Sequence, residues 1–319
     1  MYYYKVFNLL VAAEFALPET QQITAPTEQA IDVTISFGEI SFNLLSHPNT
    51  RNPGGIWYYC FPNSNINKFI FRALGIQMEV TNGKQIVVSP LTSDYSVEKL
   101  RTLTLGTAFG VIGMQRNFLP IHGSSIEINN SAFIITGTSG AGKSTLLEFF
   151  INRGFHYLSD DVSFISVEDN SPFVIPAYPQ RKLASDAAAQ LGCTVDDFIL
   201  INEDGRDKYI IRSLEEWCSR KLPLVGVVEI IPRKKVPSPF PKINQLAGHD
   251  SLALVINNLY RRCFYTDVGI HPKTMKNILS ITKCIHTYKA IRPINELSPI
   301  QLGQDILDLA IKPDNQKIC

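Results

Sequence analysis

The sequence predicts an α/β core built round a phosphate-binding loop, with a smaller, mostly β domain in front of it. Residues 137–144 read Gly-Thr-Ser-Gly-Ala-Gly-Lys-Ser, a full match to the pattern G-x-x-x-x-G-K-[ST]. A short apolar, β-branched run at 132–136 precedes the motif. A helical stretch at 144–153 follows it, with Leu146, Leu147, Phe150 and Ile151 on one face. Strand, glycine loop and helix in that order are what the motif requires. The third observation is the front of the chain, where runs at 2–7, 31–37, 55–61, 76–80 and 84–89 are rich in Tyr, Ile, Val and Phe.

Within residues 1–92, Thr81-Asn82-Gly83-Lys84 places Asn-Gly between two apolar runs and predicts a hairpin. Residues 6–17 are apolar apart from Asn8 and Glu14 and faintly imitate a secretory leader. Glu14 interrupts the run and no small-residue cleavage site follows, so the segment reads as part of the N-terminal sheet, its aromatics in the core. Residues 95–116 read as a helix, capped by Ser93, Asp94 or Ser96, with Leu100, Leu103, Thr107 and Val111 at helical spacing. The expected organisation is a β domain at 1–92, a connecting helix at 93–117 and a catalytic domain at 118–319.

In the core, the loop's backbone N–H groups and the helix N-terminus point at phosphate oxygens. Gly137, Thr138, Ser139, Gly140, Ala141, Gly142, Lys143, Ser144 and Thr145 are the expected nucleotide contacts. Lys143 reaches the β- and γ-phosphates and the Ser144 hydroxyl ligates Mg²⁺. A glycine stop at Arg153-Gly154 ends the helix, and an apolar strand at 155–158 runs into Ser159-Asp160-Asp161. A right-handed crossover brings that strand's end to the same sheet edge as the loop. Two adjacent carboxylates there suit different tasks, one at Mg²⁺ and one at the proton of an acceptor hydroxyl. Further on, 224–231 reads as a buried strand ending in Pro232-Arg233-Lys234-Lys235, a solvated strand end. Residues 236–247 read as a proline-rich loop, and helices are expected at 248–264, 272–285 and 299–311, the last started by Ser298-Pro299.

The run from the glycine loop to Asp160-Asp161, together with His122-Gly123 just upstream, resembles the HPr kinase/phosphorylase catalytic domain. The resemblance covers roughly residues 118–235 and implies a P-loop kinase core of the HPr kinase C-terminal-domain type. It implies ATP and Mg²⁺ as cofactors, magnesium and acid/base roles for Asp160 and Asp161, and an active-site role for His122. The order expected is Asp160 at the hydroxyl and Asp161, with Ser144, at the metal. The chain lacks the glutamate-bearing Arg-Gly-Ile-Gly-like segment and the C-terminal Pro-Gly-Arg-Asn-like signature of the regulator-type enzymes. The resemblance therefore does not extend to the phosphorylase half-reaction or to HPr as acceptor.

The opening Tyr3-Tyr4-Lys5-Val6-Phe7, Glu14–Glu19, the Tyr-Pro-x-x-Lys-Leu segment at Tyr178–Leu183 and Asp207-Lys208-Tyr209 are similar to the kinases of lasso-peptide gene clusters. That implies transfer to a serine at or near the C-terminus of a precursor peptide or small protein. Arg181 and Lys182 are candidates to close over the nucleotide, and Asp207 to Tyr209 to shape a peptide site. A small-metabolite kinase and a nucleotide-dependent ATPase or switch are the alternatives.

Composition bounds the partners. A net charge of +1 over 319 residues argues against a nucleic-acid or membrane-surface binder. No apolar run is long enough to span a membrane. Six cysteines without a C-x-x-C pair favour free thiols in a reducing compartment, so the expected location is cytoplasmic. Homo-oligomerisation is left open.

Overall fold

The computed structural model describes all residues except 28–29, 48–49, 53–54, 61–67, 194–197, 204–205, 235–241, 294–298 and 312–319. It is a mixed α/β, sheet-rich protein of two compact units, Met1–Pro120 with Arg261–Pro272, and Ile121–Tyr260 with Lys273–Cys319.

The first unit is an eight-stranded sheet. Its strands are β1 (Tyr2–Val6), β2 (Leu9–Ala13), β3 (Gln21–Gln22), β4 (Val33–Phe37), β5 (Trp57–Cys60), β6 (Lys68–Ala73), β7 (Ile76–Thr81) and β8 (Gln85–Pro90). They lie in the order β3-β1-β2-β4-β8-β7-β6-β5. The β7–β8 turn has Asn82 and Gly83 at φ 56° and 64°, the left-handed backbone that Asn-Gly adopts at low cost. The helical segment runs through α1 (Val97–Leu103), a π-helical stretch at Thr104–Ala108 and α2 (Phe109–Gln115).

That segment is part of the first unit. Phe109 packs on Phe7 with ring centroids 5.9 Å apart. Gln115 takes the Gly83 N–H at 2.7 Å and donates to the Val80 carbonyl at 3.2 Å. The unit thus takes in the segment at 93–117 expected to connect the two domains and extends to Pro120. It also recovers a distant segment, in which Phe264 lies 4.6 Å from the rings of both Tyr58 and Phe69.

The second unit holds β9 (Leu119–Ile128), β10 (Ser131–Gly137), α3 (Lys143–Ile151), β11 (Tyr157–Ser159), β12 (Val162–Glu168), β13 (Ser171–Ile175), β14 (Gln180–Ala184), α4 (Ser185–Leu191), β15 (Ile199–Glu203), β16 (Arg206–Arg212) and β17 (Leu222–Arg233). It continues with β18 (Lys242–Leu246), α5 (Gly248–Asn257), α7 (Pro272–Cys284), β19 (His286–Pro293) and α8 (Pro299–Ile311); α6 (Cys263–Val268) belongs to the first unit. The main sheet runs β10-β9-β12-β13-β17-β19-β18, and β10 also pairs with β17, closing five strands into a ring. β11 joins the same sheet by pairing with β9, and the other three strands form a separate sheet, β14-β16-β15.

The core below the glycine loop joins Phe133 and Ile135 of β10, Val228 and Ile230 of β17, Leu146, Phe149 and Phe150 of α3, and Leu302 and Ile306 of α8. At Gly303 an added Cβ would lie 2.2 Å from the Phe149 ring, so only glycine admits this approach of α8.

Three expectations need correction. Residues 242–246 are strand, because the chain beyond the prolines pairs antiparallel with β19. The expected helix at 248–264 is two helices, broken between Asn257 and Cys263, with Arg261 at φ 51°. Cys60, Cys193, Cys218 and Cys263 are free thiols, but Cys284 is disulfide-bonded. The Ser298 cap and Lys235 lie outside the described residues. No helix of the described chain is long and apolar enough to cross a membrane.

Candidate active site

The glycine loop runs from the end of β10 into α3. Gly137, Gly140 and Gly142 have φ of 144°, 77° and 104°, conformations that side chains rarely adopt. Gly137 is held doubly, since an added Cβ would stand 2.6 Å from the Ile230 carbonyl oxygen. Ala141 is buried, Ser144 and Thr145 are half-buried, and Thr138, Ser139 and Gly140 are exposed. Gly142 caps α3, whose first amides have no acceptor within the helix.

Lys143 is buried and folds back over the loop, donating to the carbonyls of Gly137 at 2.8 Å and Thr138 at 3.2 Å. Burial lowers its pKa, opposed by the negative charges of Asp161 and Asp160. Those two carboxylates therefore act on the loop lysine.

They arrive there by a route other than a simple crossover. β10 and β11 each pair antiparallel with β9, which lies between them. The two strands run parallel to one another and end at the same edge. Beneath them, Ser125, Ser159 and Ser163 form a buried chain of hydroxyls, with 2.6 Å between successive oxygens, ending on the Gly123 carbonyl at 2.9 Å. This chain pins Ser159, the residue before the aspartates.

The Asp160–Val162 segment is a γ-turn. The Val162 N–H reaches the Asp160 carbonyl at 2.9 Å, and Asp161 sits at φ 70°. This form is rare for a non-glycine residue and costs on the order of 1–3 kcal/mol. It separates the two side chains. Asp160 Oδ1 accepts from Ser124 Oγ at 2.7 Å and from Asp161 N at 3.0 Å, and Oδ2 accepts from Lys182 N at 2.9 Å. Asp161 is exposed, and its Oδ1 is 3.5 Å from Nδ1 of His122.

Arg181 does not face the loop. It is 3% exposed and forks onto Glu148 of α3, at 2.8 and 3.2 Å, with a third bond to Glu216 at 2.7 Å. Burial alone would lower its pKa, but the hydrogen bonds and charges of Glu148 and Glu216 prevail and raise it. Arg181 thus ties β14 to the helix after the glycine loop, and the next residue gives its N–H to Asp160. Lys208, on β16, adds a positive charge that disfavours protonation of Lys143. Tyr209 packs against Phe198, ring centroids 6.1 Å apart.

Sequence reasoning missed Arg292. Parallel pairing of β10 with β17, and of β17 with β19, brings the end of β19 to the loop edge. Arg292 Nε donates to the Ala141 carbonyl at 2.9 Å and Nη2 reaches that of Gly140 at 3.5 Å. The guanidinium holds loop carbonyls, and desolvation lowers its pKa. The available signal was an arginine at the end of the run 286–293, which was not read as a strand.

Among the described residues no cluster of three or more His, Cys, Asp or Glu side chains is arranged to hold a metal. A hydroxyl and a carboxylate, from Ser144 and Asp161, are hard oxygen donors of the kind Mg²⁺ takes alongside phosphate and water.

No protein-family model and no curated protein matches this chain. Among solved structures it is similar to the Hpr(Ser) kinase/phosphatase from Coxiella burnetii, at 18% identity, over 61% of this chain and 98% of that one, with a TM-score of 0.34. A TM-score that low carries neither fold nor chemistry across.

Proposed function

We propose that this chain is an ATP- and Mg²⁺-dependent kinase that transfers the γ-phosphate to a serine hydroxyl of a small peptide or protein, a precursor peptide of the lasso type ending in serine. The observation that carries this reading is the meeting of the glycine loop, Lys143 and the Asp160-Asp161 turn at one edge, with both aspartate charges felt by the lysine. Loop and helix amides bind the phosphates. Lys143 leaves the loop carbonyls for the β- and γ-phosphates. Ser144 and Asp161 would hold Mg²⁺, which would supply positive charge against that of the transferring group. Asp160 is kept rigid by three donors, and Oδ2, with one bond, retains an acceptor site for the serine proton. His122 stands beside Asp161 and orients it. Positioning and charge stabilisation then supply the catalysis.

The test is mass spectrometry of serine-ended precursor peptides incubated with Mg-ATP and the full chain. A gain of one phosphoryl group on the terminal serine supports the reading. Conversion of ATP to ADP without any phosphorylated peptide or metabolite favours an ATPase or switch, and phosphorylation of a metabolite moves the acceptor class.

A further inference from the structure

The end of β10, the strand carrying His122 and the last turn of α5 meet on one residue, the first and last through its side chain and the His122 strand through its backbone carbonyl. Asn258 caps the C-terminus of α5 with φ −103° and ψ 12°. It is only 8% exposed. Its carbonyl accepts the His122 N–H at 2.9 Å. Its Nδ2 donates to Glu229 Oε1 at 3.1 Å and to the Leu254 carbonyl at 2.9 Å. Its Oδ1 accepts from Thr136 Oγ1 at 2.9 Å, and the same hydroxyl lies 2.7 Å from the His122 carbonyl. Both partners of Nδ2 are pure acceptors, which fixes the orientation of the amide.

Helix capping accounts for the bond to Leu254 alone. The others reach three strands: β9 at His122, β10 at Thr136 and β17 at Glu229, where Thr136 and Glu229 are register partners. Thr136 is fully buried and is the last side chain before Gly137. A polar group at that depth is costly unless bonded, and the single Thr136 proton is shared between the His122 carbonyl and Asn258 Oδ1, so the two acceptors are held through one hydroxyl.

We infer that Asn258 is a positioning residue of the site, setting His122 and the start of the glycine loop in one frame, with Glu229 holding the amide in place. The inference rests on the kinase reading above. Asn258 touches no phosphate; it acts through His122, which stands 3.5 Å from Asp161. Its loss should fall more heavily on turnover than on the binding of Mg-ATP, because the loop and helix amides share that binding with the metal held at Asp161.

The experiment is a reciprocal exchange in the full-length chain. N258D sets a carboxylate against Glu229, and N258D/E229Q returns an amide to the pair from the other side. Mg-ATP affinity is measured by calorimetry, and single-turnover conversion of Mg-ATP to ADP is followed with water as acceptor. The ring carbon–proton resonances of His122 are recorded without nucleotide. N258D should lose about tenfold or more in turnover, lose less than that in Mg-ATP affinity, move the His122 resonances, and regain most of its turnover and resonance positions in the double variant. Wild-type turnover in N258D, or a double variant no better than N258D, overturns the inference. So does an equal loss of affinity and turnover with His122 resonances unmoved. A wild-type chain that does not bind Mg-ATP refutes the kinase reading instead, and the resonances then still decide whether Asn258 positions His122.

Discussion

Replacing Arg181 by methionine should be among the most damaging single changes in the second unit. The guanidinium is 3% exposed and its main partner, the Glu148 side chain, is 5% exposed. Removing one member of such a pair leaves a buried, uncompensated carboxylate, which costs about 3–5 kcal/mol. The Glu216 bond adds little, because that side chain is 38% exposed and water takes over its solvation. For a unit of this size the loss corresponds to a fall in melting temperature of about 6–20 °C. Urea titration followed by Trp217 fluorescence, with the indole buried and bonded to the Leu158 carbonyl at 3.1 Å, measures it. The double variant E148M/R181M removes both charges and should recover to within about 1–2 kcal/mol of wild type, since an apolar pair of similar volume replaces the ions. A loss below about 1 kcal/mol in R181M would mean that the pair behaves as a surface bridge, and the account of how β14 is held would fail.

The aspartate pair should divide its effects. D160N should lower turnover by about 10²–10⁴-fold with Mg-ATP affinity nearly unchanged, whereas D161N should weaken Mg²⁺-dependent nucleotide binding about tenfold; the opposite pattern in calorimetry and single-turnover assays exchanges the two roles. K143M should lose phosphoryl transfer by about 10³-fold or more. The variant also loses the two bonds to the Gly137 and Thr138 carbonyls, so its nucleotide-free melting temperature is measured alongside, and near wild-type turnover in the folded variant would remove Lys143 from phosphate binding. R292M should raise the Kd for Mg-ATP about tenfold, the equivalent of one charge-assisted hydrogen bond to the loop; an unchanged Kd would show that the loop holds its shape without the guanidinium.

The glycine loop, its strand and its helix were legible because their signal is contiguous: spacing, periodicity and glycine content all lie between 131 and 153. The turn at Asp160-Asp161 was legible for the same reason. The partners of these groups were not. Glu148 reads in sequence as a polar interruption of an apolar helix, and only the fold puts Arg181 against it. Arg292 and Asn258 come from the ends of elements far downstream, and parallel pairing or the break after α5 brings them to the loop. In the first unit, the hairpin at 81–84 was readable from Asn-Gly, but no local pattern marks 261–272 as returning to the sheet. The strand at 242–246 was obscured by the prolines before it.

The left-handed backbone at Asp161 has a consequence for anyone who improves this protein by selection for thermal stability alone. An L-residue in that region sits about 1–2 kcal/mol above glycine. Any screen that rewards heat resistance without testing chemistry will therefore favour D161G, a variant that relaxes the turn by discarding its carboxylate. On the reading proposed above the acid is kept at this position for the metal, so the preference of a library for Asp161 over glycine would report selection for function. Scored under both regimes, one codon would separate what the chain needs to stand from what it needs to work.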